Sequence, residues 1–216
     1  LLYLLFNCAL QSGVFPEKWK VARVCPILKS GNPSNVENYR SIAILNNFAK
    51  VFEMSIYSQV YPQTSHLISM EQHGFIQNRS TVTNLVDITQ YISEALDDRG
   101  QVDVVYTDFS KAFDKISHSI VIRKLQQFGF DGRLMKLLTS YLYNRKQYVS
   151  YNGFNSTTYY ASSGVPQGAN LGPLLFLYFI NYPIPLLKCC KLMFADDLKI
   201  YLRICDIVDC LTTRQA

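Results

Sequence analysis

Three carboxylates stand where side chains of that type could do chemistry. Asp108 lies near the end of a run rich in β-branched and aromatic residues, Val102-Asp103-Val104-Val105-Tyr106-Thr107-Asp108-Phe109. Asp196 and Asp197 are adjacent, in a hydrophobic stretch that holds Met193 and Phe194. Carboxylates at the ends of buried strands need a compensating partner. Two of them about 4 Å apart repel by about 4 kcal/mol at an effective dielectric of about 20. A hard divalent cation removes that cost, and Mg²⁺ favours one or two carboxylates together with phosphate oxygens. Two such ions could clamp the attacking and leaving oxygens of an in-line phosphoryl transfer. An isolated Asp-Asp pair is more often a plain hairpin turn, where Asp is common. The surrounding residues have to decide between the two.

Those carboxylates need elements to position them. Leu45, Phe48, Ala49, Phe52 and Ile56 recur at helical spacing, and Pro62 is expected to close that helix. Ser80 or Thr81 can cap a second helix carrying Val82, Leu85, Val86, Thr89, Ile92 and Leu96, with Gly100 at its end. The run 102–109 reads as a mostly buried strand. Two more helices follow. The second starts near Asp131 and carries Leu134, Leu137, Leu138, Tyr141 and Leu142 on one stripe. Gln147 to Tyr160 reads as a hairpin turning at Asn152-Gly153. The loop Ser162-Ser163-Gly164-Val165-Pro166-Gln167-Gly168 leads into a helix around 171–179. Lys191-Leu192-Met193-Phe194 and Leu198-Lys199-Ile200-Tyr201 read as short strands, with Ala195-Asp196-Asp197 at the tip between them. Helices and antiparallel strands without a βαβ rhythm give an α+β class.

Composition narrows the function. Of 216 residues, 49% are hydrophobic and 17% charged, which excludes a disordered chain. Six cysteines are too few for a disulfide-dense domain. None forms C-x-x-C or sits at zinc-ligand spacing from a histidine, so buried free thiols in a reducing compartment are expected. His66, His73 and His118 show no metal or catalytic spacing and read as surface or packing residues, and Trp19 reads as a packing anchor. The chain opens on Leu1, which suggests a fragment or a processed product. Its apolar start lacks the basic flank and cleavage site of a signal peptide and reads as the end of an amphipathic or buried helix. The longest other apolar stretch, 171–187, is interrupted by Pro173, Asn181, Pro183 and Pro185, so no membrane segment is expected. The net charge is +5. Between residues 111 and 146 there are 8 basic and 2 acidic residues, which suits a polyanion such as nucleic acid, although charge alone favours a solvated helix face.

Tyr106-Thr107-Asp108-Phe109-Ser110-Lys111-Ala112-Phe113-Asp114, then Gly164-Val165-Pro166-Gln167-Gly168, then Phe194-Ala195-Asp196-Asp197 resemble, in that order, motifs A, B and C of a reverse transcriptase. The likeness is to the non-LTR (LINE-type) retrotransposons of animals. It extends upstream through Phe15-Pro16-Glu17-Lys18-Trp19-Lys20, Pro26-Ile27-Leu28-Lys29, Asn38-Tyr39-Arg40 and Gln72-His73-Gly74-Phe75, and so covers essentially the whole chain. Ser41 stands where the family usually has Pro, and Tyr182 where it usually has Asp.

The resemblance implies a right-hand polymerase with fingers (1–100) and palm (101–216), ending before the motif D lysine and the thumb. It implies an RNA-directed DNA polymerase acting on an RNA template, a DNA primer and a dNTP. The cofactor would be two Mg²⁺ ions, with Mn²⁺ able to replace them. Asp108 and Asp196 match the metal-binding aspartates, Asp197 supports them, and the Phe109 carbonyl is a further ligand. Phe113 matches the bulky residue that rejects a 2′-hydroxyl. Gln167 matches a residue near the incoming nucleotide, and Gly164 and Gly168 let backbone approach it. Lys29 and Arg40 resemble the residues that hold the triphosphate, for which a guanidinium fork is suited. Arg79 could touch template backbone or lie on the surface. A ribonucleoprotein in nucleus and cytoplasm is the implied setting. Two other readings stay open: a catalytically inactive, retrotransposon-derived fragment that binds nucleic acid, and a group II intron or telomerase polymerase sharing the palm.

Overall fold

The computed structural model describes residues 1–181 and 184–204. In chain order, α1 spans Leu2–Ser12, β1 Val21–Leu28, β2 Tyr39–Ile44, α2 Asn47–Thr64 and α3 Thr81–Asp97. There follow β3 (Gln101–Asp108), α4 (His118–Gln127), α5 (Gly132–Leu142) and β4 (Lys146–Tyr151). Then come β5 (Phe154–Asn155), β6 (Tyr159–Tyr160), α6 (Leu171–Ile180), β7 (Cys190–Phe194) and β8 (Asp197–Ile204). Helices mix with largely antiparallel sheets, the α+β class expected from the sequence. Cys205, Cys210 and Tyr182 lie outside the described residues.

The chain divides into two compact units, each made of two stretches. The first joins Leu1–Thr64 to Phe113–Phe179, and the second joins Ser65–Ala112 to Ile180–Ala216. The division expected at 100/101 falls inside the second unit. The reason is that β3 pairs with β8, and α3 packs on the sheet they form.

In the first unit the sheet runs β2-β1-β4-β5, with β6 also paired to β4. β1 and β2 are antiparallel, with Ile27 opposite Arg40. β1 and β4 are parallel, with Val24 opposite Val149. Ala22 and Val24 alternate inward from Val21 and Arg23, as a half-buried strand requires. Asn152 and Gly153 both take positive φ, 47° and 83°, and turn Tyr151 onto Phe154 as the sequence predicts. Elsewhere in the unit, Phe15, Trp19 and Phe52 form an aromatic cluster. The Trp19 and Phe52 ring centroids are 5.7 Å apart, and Phe15 meets Tyr141 of α5 edge-on at 5.0 Å. Trp19 is thus the packing anchor that was expected. α2 continues through Pro62 instead of ending there. There the ring removes the N–H that would reach the Ser58 carbonyl and crowds that carbonyl, so the surrounding packing and not local preference sets where the helix ends. α1 forms, but only Ala9 of it is buried. Leu1, Tyr3 and Leu4 stay exposed, while the Phe6 ring lies against those of Trp19 and Phe52.

In the second unit the order is β3-β8-β7. Ile88 of α3 packs with Leu192 and Tyr201, flanked by Tyr91, Ile92, Val102 and Val104. Ser80 caps α3 in a reciprocal pair with Thr83. The helix ends at Asp97 with Asp98 as its cap, and the left-handed residue after it is Arg99, at φ 57°, not Gly100. Gly100 instead donates to the Ala95 carbonyl at 2.7 Å, and a Cβ there would lie 2.9 Å from Arg203 Nε. β3 is less buried than its composition suggests, since it is an edge strand with Val105 and Tyr106 exposed. Among the described cysteines, all free, Cys189 alone is buried and Cys8 is exposed, so the buried-thiol expectation holds only in part. No helix among the described residues is long and apolar enough to cross a membrane.

Phe52, 1% exposed among the rings of Phe6, Phe15 and Trp19, holds the first unit's core. Phe52→Ala is expected to lower stability by about 3–5 kcal/mol in urea denaturation. A loss below about 1 kcal/mol would show that the cluster is not the core.

Candidate active site

The candidate residues fall into two groups. Asp108, Phe109, Asp196 and Asp197 belong to the second unit, and Lys29, Arg40, Phe113, Gln167 and Gly168 to the first.

The β3–β8 ladder runs from Gln101 opposite Ile204 to Asp108 opposite Asp197. Directly paired residues of an antiparallel sheet point to the same face, so two carboxylates share the last rung. The next rung on that face pairs Tyr106 with Lys199, and the one after it Val104 with Tyr201. Lys199 Nζ stands 5.9 Å from the Tyr106 ring and 2.5 Å from Asn84 Oδ1. A cation is therefore held two residues inward of the carboxylate pair.

Asp197 begins β8 and is not part of the tip, as it was expected to be. The tip is the two-residue turn Ala195-Asp196, closed by Phe194 opposite Asp197. Of the two turn residues only Ala195 has positive φ, at 57°. Buried Gln72 supports this turn. Its Oε1 accepts from the Ala195 N–H at 2.9 Å and the Gly74 N–H at 2.7 Å, and its Nε2 donates to the Ala195 carbonyl at 3.1 Å. The His73 N–H donates to the Met193 carbonyl at 2.8 Å, which also accepts from Asn84 Nδ2 at 3.1 Å. A Cβ on Gly74 would lie 2.1 Å from the Ala195 nitrogen, so only glycine fits against the turn.

Asp108 and Asp197 are exposed and Asp196 is half-buried. The repulsion to be relieved thus comes from pairing at a solvent-facing edge, not from burial, because β3 is an edge strand. Among the described residues, no three His, Cys, Asp or Glu side chains are gathered closely enough to hold a metal ion by themselves. Facing oxygen donors at the end of a ladder fit a hard cation that takes its remaining ligands from water and phosphate. Phe109, 39% exposed, follows directly on Asp108. Burial, and then the Arg79 charge, holds His73 below the ordinary histidine range, and Asp87, 3.3 Å from Nε2, opposes them.

In the first unit Phe113 lies flat against Phe176 of α6, centroids 4.4 Å apart and planes 16° from parallel. The adjoining loop is tied down along its length. Gly164 donates to the Ile116 carbonyl at 2.8 Å and its own carbonyl lies 2.7 Å from His118 Nε2. Val165 donates to the Phe113 carbonyl at 3.0 Å, and Gln167 accepts at its carbonyl from the Ala43 N–H at 2.8 Å. Gln167 Nε2 donates to Asp114 Oδ1 at 3.1 Å. At Gly168, φ 116°, a Cβ would stand 2.8 Å from the Ala43 carbonyl oxygen. Phe113, Gln167 and Gly168 are thus brought together. Arg40 is an exposed residue of β2, and Lys29, also exposed, follows β1 with its N–H on the Asn38 carbonyl at 2.8 Å.

Several residues that build the site carry no chemical signal in the sequence. Gln72, Asn84, Lys199 and His118 act through buried or half-buried hydrogen bonds to partners 46 to 123 positions away. Only the Gln72-Gly74 landmark hinted at one of them. Arg79 is a support residue, with Nη1 donating to the Gln72 carbonyl at 2.7 Å and to that of Met70.

Gly74→Ala drives a Cβ into backbone and is expected to cost about 3 kcal/mol in urea denaturation and to speed amide exchange across 193–198. Unchanged stability and exchange would show that Gly74 does not brace the turn.

Residues 27–213 match the family described as Reverse transcriptase (RNA-dependent DNA polymerase). The chain is 33% identical over 188 residues to the probable RNA-directed DNA polymerase from transposon BS of Drosophila melanogaster, covering 85% of this chain and 21% of that protein. It is 32% identical over 202 residues to the probable RNA-directed DNA polymerase from transposon X-element of the same organism, covering 90% of this chain and 22% of that protein. The chain therefore spans about a fifth of the length of these curated relatives. Its fold is similar to that of apo telomerase from Candida tropicalis truncated from the C-terminal domain, with a TM-score of 0.66 at 13% identity, over 99% of this chain and 50% of that one. With its family match across most of the chain and its relatives among non-LTR retrotransposons, this chain belongs to the reverse transcriptase (RNA-dependent DNA polymerase) family.

Proposed function

We propose that the chain carries the nucleotidyl-transfer site of an RNA-directed DNA polymerase. A primer 3′-hydroxyl would attack the α-phosphate of a dNTP opposite an RNA template, forming the new phosphodiester and releasing pyrophosphate. One observation supports this reading above the others: Asp108 stands opposite Asp197 at the end of the sheet, with Asp196 in the adjoining turn.

Asp108 and Asp196 would hold divalent metal, Mg²⁺ or in its place Mn²⁺, with Asp197 and the Phe109 carbonyl adding oxygen donors. When bound, a pair of such ions lowers the pKa of an attacking hydroxyl and stabilises a leaving pyrophosphate. The protein's own part is positioning and electrostatics. Lys29 and Arg40 would bind the triphosphate. Phe113, stacked on buried Phe176, is braced and would present a fixed wall to a sugar 2′-hydroxyl. Gln167 and the backbone at Gly164 and Gly168 would orient the nucleotide. A ribonucleoprotein acting in nucleus and cytoplasm is the setting we favour on family resemblance.

The test is primer extension on an RNA template by the full-length protein. Asp108→Asn and Asp196→Asn should each cut the rate by about a thousandfold or more, with melting temperature nearly unchanged. Extension at the wild-type rate in either variant would defeat the reading.

A further inference from the structure

Glu53 on α2 is fully buried, 0% exposed. Its Oε2 accepts from the backbone N–H of Asn170 at 2.8 Å and of Leu171 at 3.2 Å. These two residues open α6, where backbone N–H groups lack helical partners. Asn170 Nδ2 donates in turn to the Lys50 carbonyl at 2.8 Å, one turn earlier on α2. Three hydrogen bonds thus run between α2 and the start of α6.

A buried carboxyl is a costly way to fill a core. Burial pushes the Glu53 carboxyl above the ordinary range, against the Leu171 N–H and then the Arg145 charge, which pull it down. Arg145 is itself 1% exposed. Its Nη1 donates to the Tyr141 carbonyl at 3.2 Å, and its guanidinium stands 4.8 Å from the Tyr141 ring. A leucine at position 53 would fill similar space at lower cost, but it would offer no acceptor to Asn170 or Leu171. What the carboxyl adds is therefore placement of the α6 start.

That placement matters for what precedes it. The near end of the loop is fixed by Ile116, Phe113 and His118, and its middle by Ala43. Its far end is fixed by Glu53 and Lys50. We propose that Glu53 is a positioning residue that fixes the Gly164–Gly168 loop and so sets where Gln167 and Gly168 meet the incoming nucleotide. The inference rests on the function proposed above.

The experiment uses the full-length protein and two variants. Glu53→Ala removes the acceptor. Glu53→Leu combined with Arg145→Met removes it together with the buried guanidinium, so that neither charge is left in the core. In whichever variant unfolds cooperatively, KM for dNTP should rise about tenfold with kcat within about threefold. Amide exchange across 165–171 should quicken while that of β3 and β8 stays unchanged. A folded variant with wild-type KM overturns the proposal, and so does loss of cooperative unfolding in both, which would make Glu53 a requirement of the core. If the wild-type protein extends no primer, the functional reading itself has failed. Exchange then decides the placement alone, and unaltered exchange at 165–171 in a folded variant overturns it.

Discussion

Asp108 opposite Asp197 is the constraint on which the site depends. Like charges directly across a sheet weaken the pairing by about 0.2–1 kcal/mol. The ladder inward of that rung offsets the cost. It pairs every residue of β3 with one of β8 and lies on α3 through Ile88, Leu192 and Tyr201. Lys199, steadied by Asn84 and Tyr106, adds a positive charge on the same face. The pair is thus held at a position it would not choose alone.

The turn beyond that rung is held with equal care. Ala195 takes a left-handed φ that costs a non-glycine residue energy. Gln72 satisfies both polar groups of its backbone, and Gly74 lets the supporting segment close to within contact distance. The first unit follows the same logic with different parts. There a loop with two glycines at positive φ is bonded at both ends and in the middle, and an aromatic pair fixes Phe113. In each unit the turn or loop proposed to meet substrate is held in place by buried neighbours such as Gln72 and His118.

Much of this was legible in the sequence, and the reasons for the remainder are specific. Asn152-Gly153 encodes its turn locally, since both residues tolerate positive φ, and the turn forms where it was expected. Ser80 similarly encodes the start of α3. Boundaries set by tertiary contact were harder. α2 passes Pro62, and α3 ends at Asp97, with Arg99 and not Gly100 taking the left-handed conformation beyond it. The apolar composition of 102–109 signals a strand but not that the strand is an edge. The division into units was illegible because it depends on which distant segments pair. The candidate carboxylates were visible through their motifs, whereas Gln72, Asn84 and Glu53 were not. A buried amide or carboxyl announces itself only through partners more than 100 positions away.

The claim at the centre is that the Asp108 rung and the turn beside it form a cation site completed by substrate phosphates. The most direct measurement is anomalous scattering from Mn²⁺ in crystals of the full-length protein grown with template, primer and a non-hydrolysable dNTP. The account predicts manganese bound to the Asp108 and Asp196 carboxylates and to the nucleotide phosphates. Manganese bound elsewhere, with those carboxylates free of it, would contradict the account.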